Sequence, residues 1–220
     1  MTHLWPWLAL LGLGALHGVN PGMGWLFALC LGLQERRRAA VLAALPPIAL
    51  GHALSVGLVV FIVAVLSATL EPQLLKYASA SVLIGYGAFR AVRARHPRWV
   101  GMRVGFRDLI MWSFLMASAH GAGLMLLPVF LAASSADAQG PAHYHASAGA
   151  HAGHLPALGG PLILTAAVIV HTLAHLVVAG LVALLFYEKL GLTILKRAWF
   201  NIDFAWALAL AVTGVILLFL

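Results

Sequence analysis

The chain has 220 residues, of which 63% are hydrophobic and only 9% are charged, and its mean hydropathy is +0.99. Soluble globular domains carry roughly 25% charged residues. The composition therefore excludes an ordinary soluble protein and predicts an all-α, polytopic membrane protein with one transmembrane domain over residues 1–220. The net charge of +7 would suit a nucleic-acid-binding protein, but the basic residues lie in short segments between apolar runs. We interpret them as topology signals and expect no nucleic-acid partner.

Six apolar runs predict six transmembrane helices, because each is long enough for the roughly 20 residues that cross a bilayer. We place them near residues 4–33, 40–69, 73–94, 107–134, 159–187 and 193–220.

The first run has an unusual interior. It holds His17, Asn20, Pro21 and three glycines within eight residues. Proline removes a backbone donor and clashes with the preceding turn, so this helix should break. A break inside a bilayer is tolerated only where the freed backbone groups face protein or a wet cavity.

Basic residues fall in alternate connections. All but one of the 13 lysines and arginines follow span one, flank the connection of spans three and four, or lie between spans five and six; the exception is Lys76. The positive-inside rule makes these three connections cytoplasmic. We therefore predict a multi-pass protein of the plasma (inner) membrane with both termini outside.

The outer segment at about 135–158 is rich in alanine, glycine and histidine. Small residues make a poor core, so we expect a flexible loop. Neutral imidazole binds zinc, nickel, cobalt and copper, and short His-rich tracts commonly bind metals. The alternative is a low-complexity tether in which histidine is incidental. We favour an accessory metal site formed by His143, His145, His151 and His154.

Two short motifs occur twice in the same order. Span one has Leu-His-Gly around His17, and span four has Ala-His-Gly around His120. Spans two and five each contain a histidine, four residues and then Gly-Leu-Val, beginning at His52 and His175. Because spans one and four would run in opposite directions, these matches predict two inverted repeats of three helices each.

The first repeat would cover about 1–95 and the second about 107–220, with the His-rich loop inserted in the second. Inverted repeats are typical of secondary transporters, whose substrate sites lie near the bilayer midplane between the copies.

The histidines inside the spans are the candidate ligands, because ionisable side chains in a bilayer are costly and usually functional. His171 and His175 are four residues apart, so they share a helix face and could bind one ion together. Imidazole suits a transition metal better than sodium or magnesium, which prefer oxygen. The alternative for each histidine is a hydrogen bond to a helix carbonyl. We predict a metal site formed by His17, Asn20, His52, His120, His171 and His175.

Residues 13–24 read Leu-Gly-Ala-Leu-His-Gly-Val-Asn-Pro-Gly-Met-Gly. This stretch resembles the opening helix of the NicO-type nickel/cobalt transporters, within the LysE-like transporter superfamily. Members open with a histidine and a Pro-Gly break and repeat two three-helix halves, and some exporters carry a His-rich loop. The resemblance implies that His17, Asn20 and Pro21 are site residues. The chain departs from it at Met23 and Gly24, where a second polar or acidic ligand is usual, and it lacks a His-x4-Asp-His motif.

These observations predict a secondary transporter of a divalent transition-metal cation such as nickel, cobalt or zinc, and not an enzyme. The metal is the cargo, and its identity is left open. No Gly-x4-Gly-Lys-Ser/Thr motif is present, so this chain should not itself use ATP. Two alternatives stay open: a membrane-embedded haem or metal redox protein, and a LysE-like exporter of a small organic or sulfur-containing solute. The expected partners are the lipid bilayer and the metal ion, and a homo-oligomer is also compatible with the sequence.

Overall fold

The computed structural model describes residues 4–92, 104–131, 160–190 and 202–219, and all regular structure in these residues is helical. The 3-10 turns are Pro21–Met23 and Leu124–Leu126, and a π-helical turn, Phe186–Leu190, follows the helix Gly160–Leu185. The α-helices are α1 (Trp5–Val19), α2 (Trp25–Glu35), α3 (Arg38–Ser67), α4 (Pro72–Val92), α5 (Phe106–Ala119), α6 (Gly160–Leu185) and α7 (Ile202–Phe219).

Each predicted apolar run contains described helix, and most bounds agree to within a few residues. The fifth run, predicted at 159–187, is α6, and the second, predicted at 40–69, is α3. The sixth run, predicted from residue 193, contains α7, while residues 191–201 lie outside the described part of the chain.

The first predicted span is two helices, α1 and α2, so the expected break at Pro21 is confirmed. After α1 ends at Val19, a 3-10 turn and Gly24, with φ of 120°, redirect the chain. The side-chain oxygen of Asn20 accepts a hydrogen bond of 2.9 Å from the amide two residues on. The indole of Trp25 donates to the carbonyl of Val19 at 2.9 Å. These bonds satisfy backbone groups that the break leaves without helical partners.

The fourth predicted span has a second break, which precedes Pro128 rather than lying at it. α5 ends at Ala119, Gly121 adopts a φ of 66°, and the helical segment Leu124–Leu131 is bent by 51° from α5. The indole of Trp206 donates to the carbonyl of His120 at 2.9 Å. Both breaks are thus capped by a tryptophan.

Close packing of small residues holds the helices together. The most extensive contacts join α1 to α6, α3 to α5, α4 to α7, and α3 to α6. A methyl group on Gly14 would collide with the carbonyl oxygen of His171, and one on Gly18 would lie 2.6 Å from that of His175. Glycines that let two helix backbones approach are typical of membrane helix pairs.

Within the described ranges, two helices are long and apolar enough to cross a membrane, Arg38–Ser67 and Gly160–Lys189. The bent pair Phe106–Ala119 and Leu124–Leu131 adds a third if the two parts form one span. Large apolar side chains such as Phe61 are exposed along these helices. Exposed apolar surface of this extent is rare on soluble monomers and suits contact with lipid.

Candidate metal site

Four of the predicted histidines meet inside the helix bundle. His17 comes from α1, His52 from α3, and His171 and His175 from α6, and all four are 0% exposed. The ring centroids of His52 and His175 are 4.1 Å apart and nearly parallel. Those of His17, His52 and His171 lie 5.1–5.7 Å from one another. We call these four residues the four-histidine cluster.

The centroid spacing of three of these rings is compatible with binding to one metal ion. With Zn–N bonds of about 2.0–2.1 Å, a tetrahedral ion places the centroids of two imidazole ligands about 5 Å apart. In the described residues, however, no group of three or more His, Cys, Asp and Glu side chains is arranged to hold an ion. The rings of His52 and His175, which are stacked, would have to turn to share one.

Most ring nitrogens of the cluster lack a partner in the described structure. Six of the eight, Nε2 of His17 and His171 and both nitrogens of His52 and His175, are buried without a hydrogen bond. Buried polar atoms are normally paired, because an unmade hydrogen bond costs about 1–3 kcal/mol. A purely structural role therefore explains His52 and His175 poorly.

The two bonded nitrogens are Nδ1 of His17, 2.6 Å from the carbonyl oxygen of Leu13, and Nδ1 of His171, 3.2 Å from that of Leu10. A ring that donates Nδ1–H to a carbonyl keeps the lone pair of Nε2 for a metal, as metal-bound histidines usually do. A hydrogen bond from a histidine to a helix carbonyl, which would also be expected of a purely structural histidine, is thus compatible with metal binding.

His120 and Asn20 both pack against Gly22, near the two helix breaks. A methyl group on Gly22 would lie 3.2 Å from Oδ1 of Asn20 and 3.4 Å from Cε1 of His120. Both side chains are almost fully buried, and Nδ2 of Asn20 has no partner in the described structure. We call them the Asn20–His120 pair.

Trp206 contacts both groups, and it is the residue that sequence reasoning missed. Its ring centroid is 4.9 Å from that of His17 and 6.2 Å from that of His120. Its position in the sequence could have identified it. A tryptophan that anchors a helix at the membrane interface lies near the end of a span, whereas Trp206 lies well inside the last apolar run.

The carboxylates whose side chains the structure describes lie near helix ends. Glu35, Glu71, Asp108 and Glu188 are all exposed and lie at or next to helix ends. The accessory histidines His143, His145, His151 and His154 lie outside the described residues, so their predicted metal site stays a prediction.

Comparison with known proteins finds no matching family model, no matching curated protein and no matching solved structure. Function has to be inferred from the chemistry of the site.

Proposed function

We propose that the chain is a secondary transporter of a divalent transition-metal cation and that the four-histidine cluster is its main binding site. The observation that carries this proposal is the convergence of four buried imidazoles from three helices, most of their nitrogens unpaired. Such a group is costly in an apolar bundle and is typical of an ion pathway. Nickel, cobalt and zinc are the proposed cargoes, because borderline divalent metals prefer imidazole.

Helix packing supports the proposed inverted repeat. In this scheme α1 corresponds to α5, α3 to α6 and α4 to α7. Exchanging the two halves turns the α1–α6 contact into the α5–α3 contact. The same exchange leaves the α4–α7 and α3–α6 contacts unchanged. These four contacts are the most extensive among the described helices. His17 and His120, which the repeat relates, each have Nδ1 near the carbonyl four residues earlier, and each precedes a break.

The helix ends support the topology proposed from the basic residues. Arg38 forms an ion pair with Glu188 at 3.0 Å, which joins the connections that follow α2 and α6. Val104, just before α5, packs in the same apolar cluster as Tyr187. Lys76 lies near the start of α4, which packs against the end of α3 at the opposite side of the bundle. Six spans in the inner membrane, with both termini outside, would account for this arrangement.

Metal uptake by proteoliposomes tests the proposed function. Purified protein is reconstituted around a metal-sensitive dye, and Ni²⁺, Co²⁺ or Zn²⁺ is added outside. We expect saturable entry of at least one of these ions, and we expect the His52→Ala/His175→Ala double variant to lose it. Entry no faster than into empty liposomes would contradict the proposal, and a red protein with a haem spectrum would favour the redox alternative.

The outer loop is proposed to collect metal rather than to form the pathway. We expect a full-length variant with His143→Ser, His145→Ser, His151→Ser and His154→Ser, here named the loop-silent variant, to keep the maximal transport rate. Its uptake should fall only at scarce metal, because loop imidazoles raise the local concentration of ions near the entrance. Loss of transport at saturating metal would place these histidines in the pathway instead.

A further inference from the structure

We propose that Trp206 is an internal gate that separates the four-histidine cluster from the Asn20–His120 pair. The proposal rests on the transport function proposed above and concerns how a metal ion would move between the two polar groups.

The position of the indole suits a gate. Trp206 is 6% exposed and packs edge-on against His17, with ring planes 80° apart, and edge-on against His120, with planes 72° apart. Trp206 belongs to the same buried apolar cluster as Leu10, Met23 and Leu210. An ion leaving His17 toward His120 would meet an aromatic ring in dry surroundings rather than a ligand. Such a barrier is what alternating access requires, because a transporter keeps its site closed on at least one side.

One hydrogen bond holds the indole in place. Nε1 of Trp206 donates to the carbonyl of His120 at 2.9 Å. This carbonyl belongs to the C-terminal cap residue of α5, at the start of the break. One net hydrogen bond is strong enough to hold a side chain and weak enough to exchange during transport.

The same stretch of α7 couples Trp206 to the second break. Leu210 is one helical turn after Trp206 and therefore lies on the same face of α7. A methyl group on Gly121, within the break, would lie 2.8 Å from Cδ2 of Leu210. Displacement of this break would therefore push on α7 through Leu210, and it would disturb the hydrogen bond between the indole and the carbonyl of His120.

The rate of metal release tests the gate. The loop-silent variant is loaded with Co²⁺, whose visible absorption reports imidazole ligands, and is mixed rapidly with excess chelator. We expect Trp206→Phe, which keeps a ring but loses the N–H donor, to release Co²⁺ about two- to tenfold faster, the range for one lost hydrogen bond. Trp206→Ala should release it more than about tenfold faster, and association should accelerate by a similar factor, which leaves the dissociation constant nearly unchanged.

Trp25→Phe is the matched control. Trp25 also donates its indole N–H to a carbonyl at a helix break, that of Val19 at 2.9 Å, but its ring packs against Phe186. This variant loses the same kind of bond without touching a histidine, so its release rate should equal that of the parent protein.

Two results would overturn the gate. Equal release rates in the parent and in both Trp206 variants would show that the indole is no barrier. Faster release with unchanged association, and a matching loss of affinity, would show that Trp206 only supports the His17 ring. Should Trp206→Ala not fold, Trp206→Phe and Trp206→Leu decide between these results. A failure of the transport proposal can be told apart from a failure of the gate. If the parent protein does not bind Co²⁺ through imidazole ligands, the transport proposal fails before the Trp206 variants are measured.

Discussion

Replacing His52 or His175 by alanine is expected to lower the affinity of the loop-silent variant for Co²⁺ by more than about 100-fold. Loss of a group that merely supports a ligand usually lowers affinity about 10–100-fold, and loss of a ligand lowers it further. His52 is chosen because neither of its ring nitrogens has another partner in the described structure, and His175 because its ring stacks on that of His52 at 4.1 Å. Binding is measured by titration of the purified protein and by the visible spectrum of bound Co²⁺.

Two controls make this result specific. Ser55 lies one helical turn after His52, and its buried hydroxyl is 2.8 Å from the hydroxyl of Ser118. Ser55→Ala removes this hydroxyl but no imidazole, so the affinity for Co²⁺ should stay unchanged. His120→Ala should weaken binding less than His52→Ala, because His120 is not one of the four clustered rings and packs against Trp206 instead. Wild-type affinity in the single variants of His17, His52, His171 and His175 would refute the metal-transport proposal.

Acidification should weaken metal binding in the same preparation. A protonated imidazole cannot ligate a metal, so metal and protons compete for the same rings. Co²⁺ titrations at successively lower pH test this, and an affinity that does not change as pH falls would exclude imidazole ligands.

Substituting both glycines at the α1–α6 crossing is the second large effect that we expect. The Gly14→Ala/Gly18→Ala variant adds methyl groups that would collide with the carbonyls of His171 and His175. Overpacking typically lowers the free energy of unfolding by about 1–3 kcal/mol for each site. Because α1 must move away from α6, the ring of His17 should also leave the cluster, and affinity for Co²⁺ should fall.

Gly12→Ala is the control for this substitution. Gly12 lies on the same helix, but a methyl group there meets nothing within 4 Å. Alanine in place of glycine within a helix otherwise stabilises by roughly 0.5–1 kcal/mol. Denaturant titrations should therefore move in opposite directions for the two variants, and a double variant as stable as the parent would show that this crossing adapts freely.

Sequence reasoning predicted the elements better than their arrangement. Apolar runs indicate helices because a bilayer demands them, and Pro21 marks its break chemically. Gly121 carries no such mark, because a glycine in an apolar run is equally compatible with a continuous helix. The second break appears only when tertiary packing gives Gly121 a positive φ.

The candidate site was predicted as a set of residues, but its division into two groups was not. Spacing placed His171 and His175 on one face, and the repeat related His17 to His120. Rotation of one helix about its axis relative to another is not encoded in such periodicity. That rotation brings Trp206 against both His17 and His120.

The exposed positions of Glu35, Glu71, Asp108 and Glu188 bear on the electrical work of transport. Among the side chains that the structure describes, no carboxylate belongs to the four-histidine cluster, so a divalent ion bound by its neutral imidazoles would keep both of its charges there. Moving one charge through a membrane potential of about 100 mV involves about 2.3 kcal/mol, and two charges involve about twice that. Carriage by neutral ligands alone would thus generate current, with a potential negative inside drawing the ion inward, and an exporter of this design would need a counter-ion.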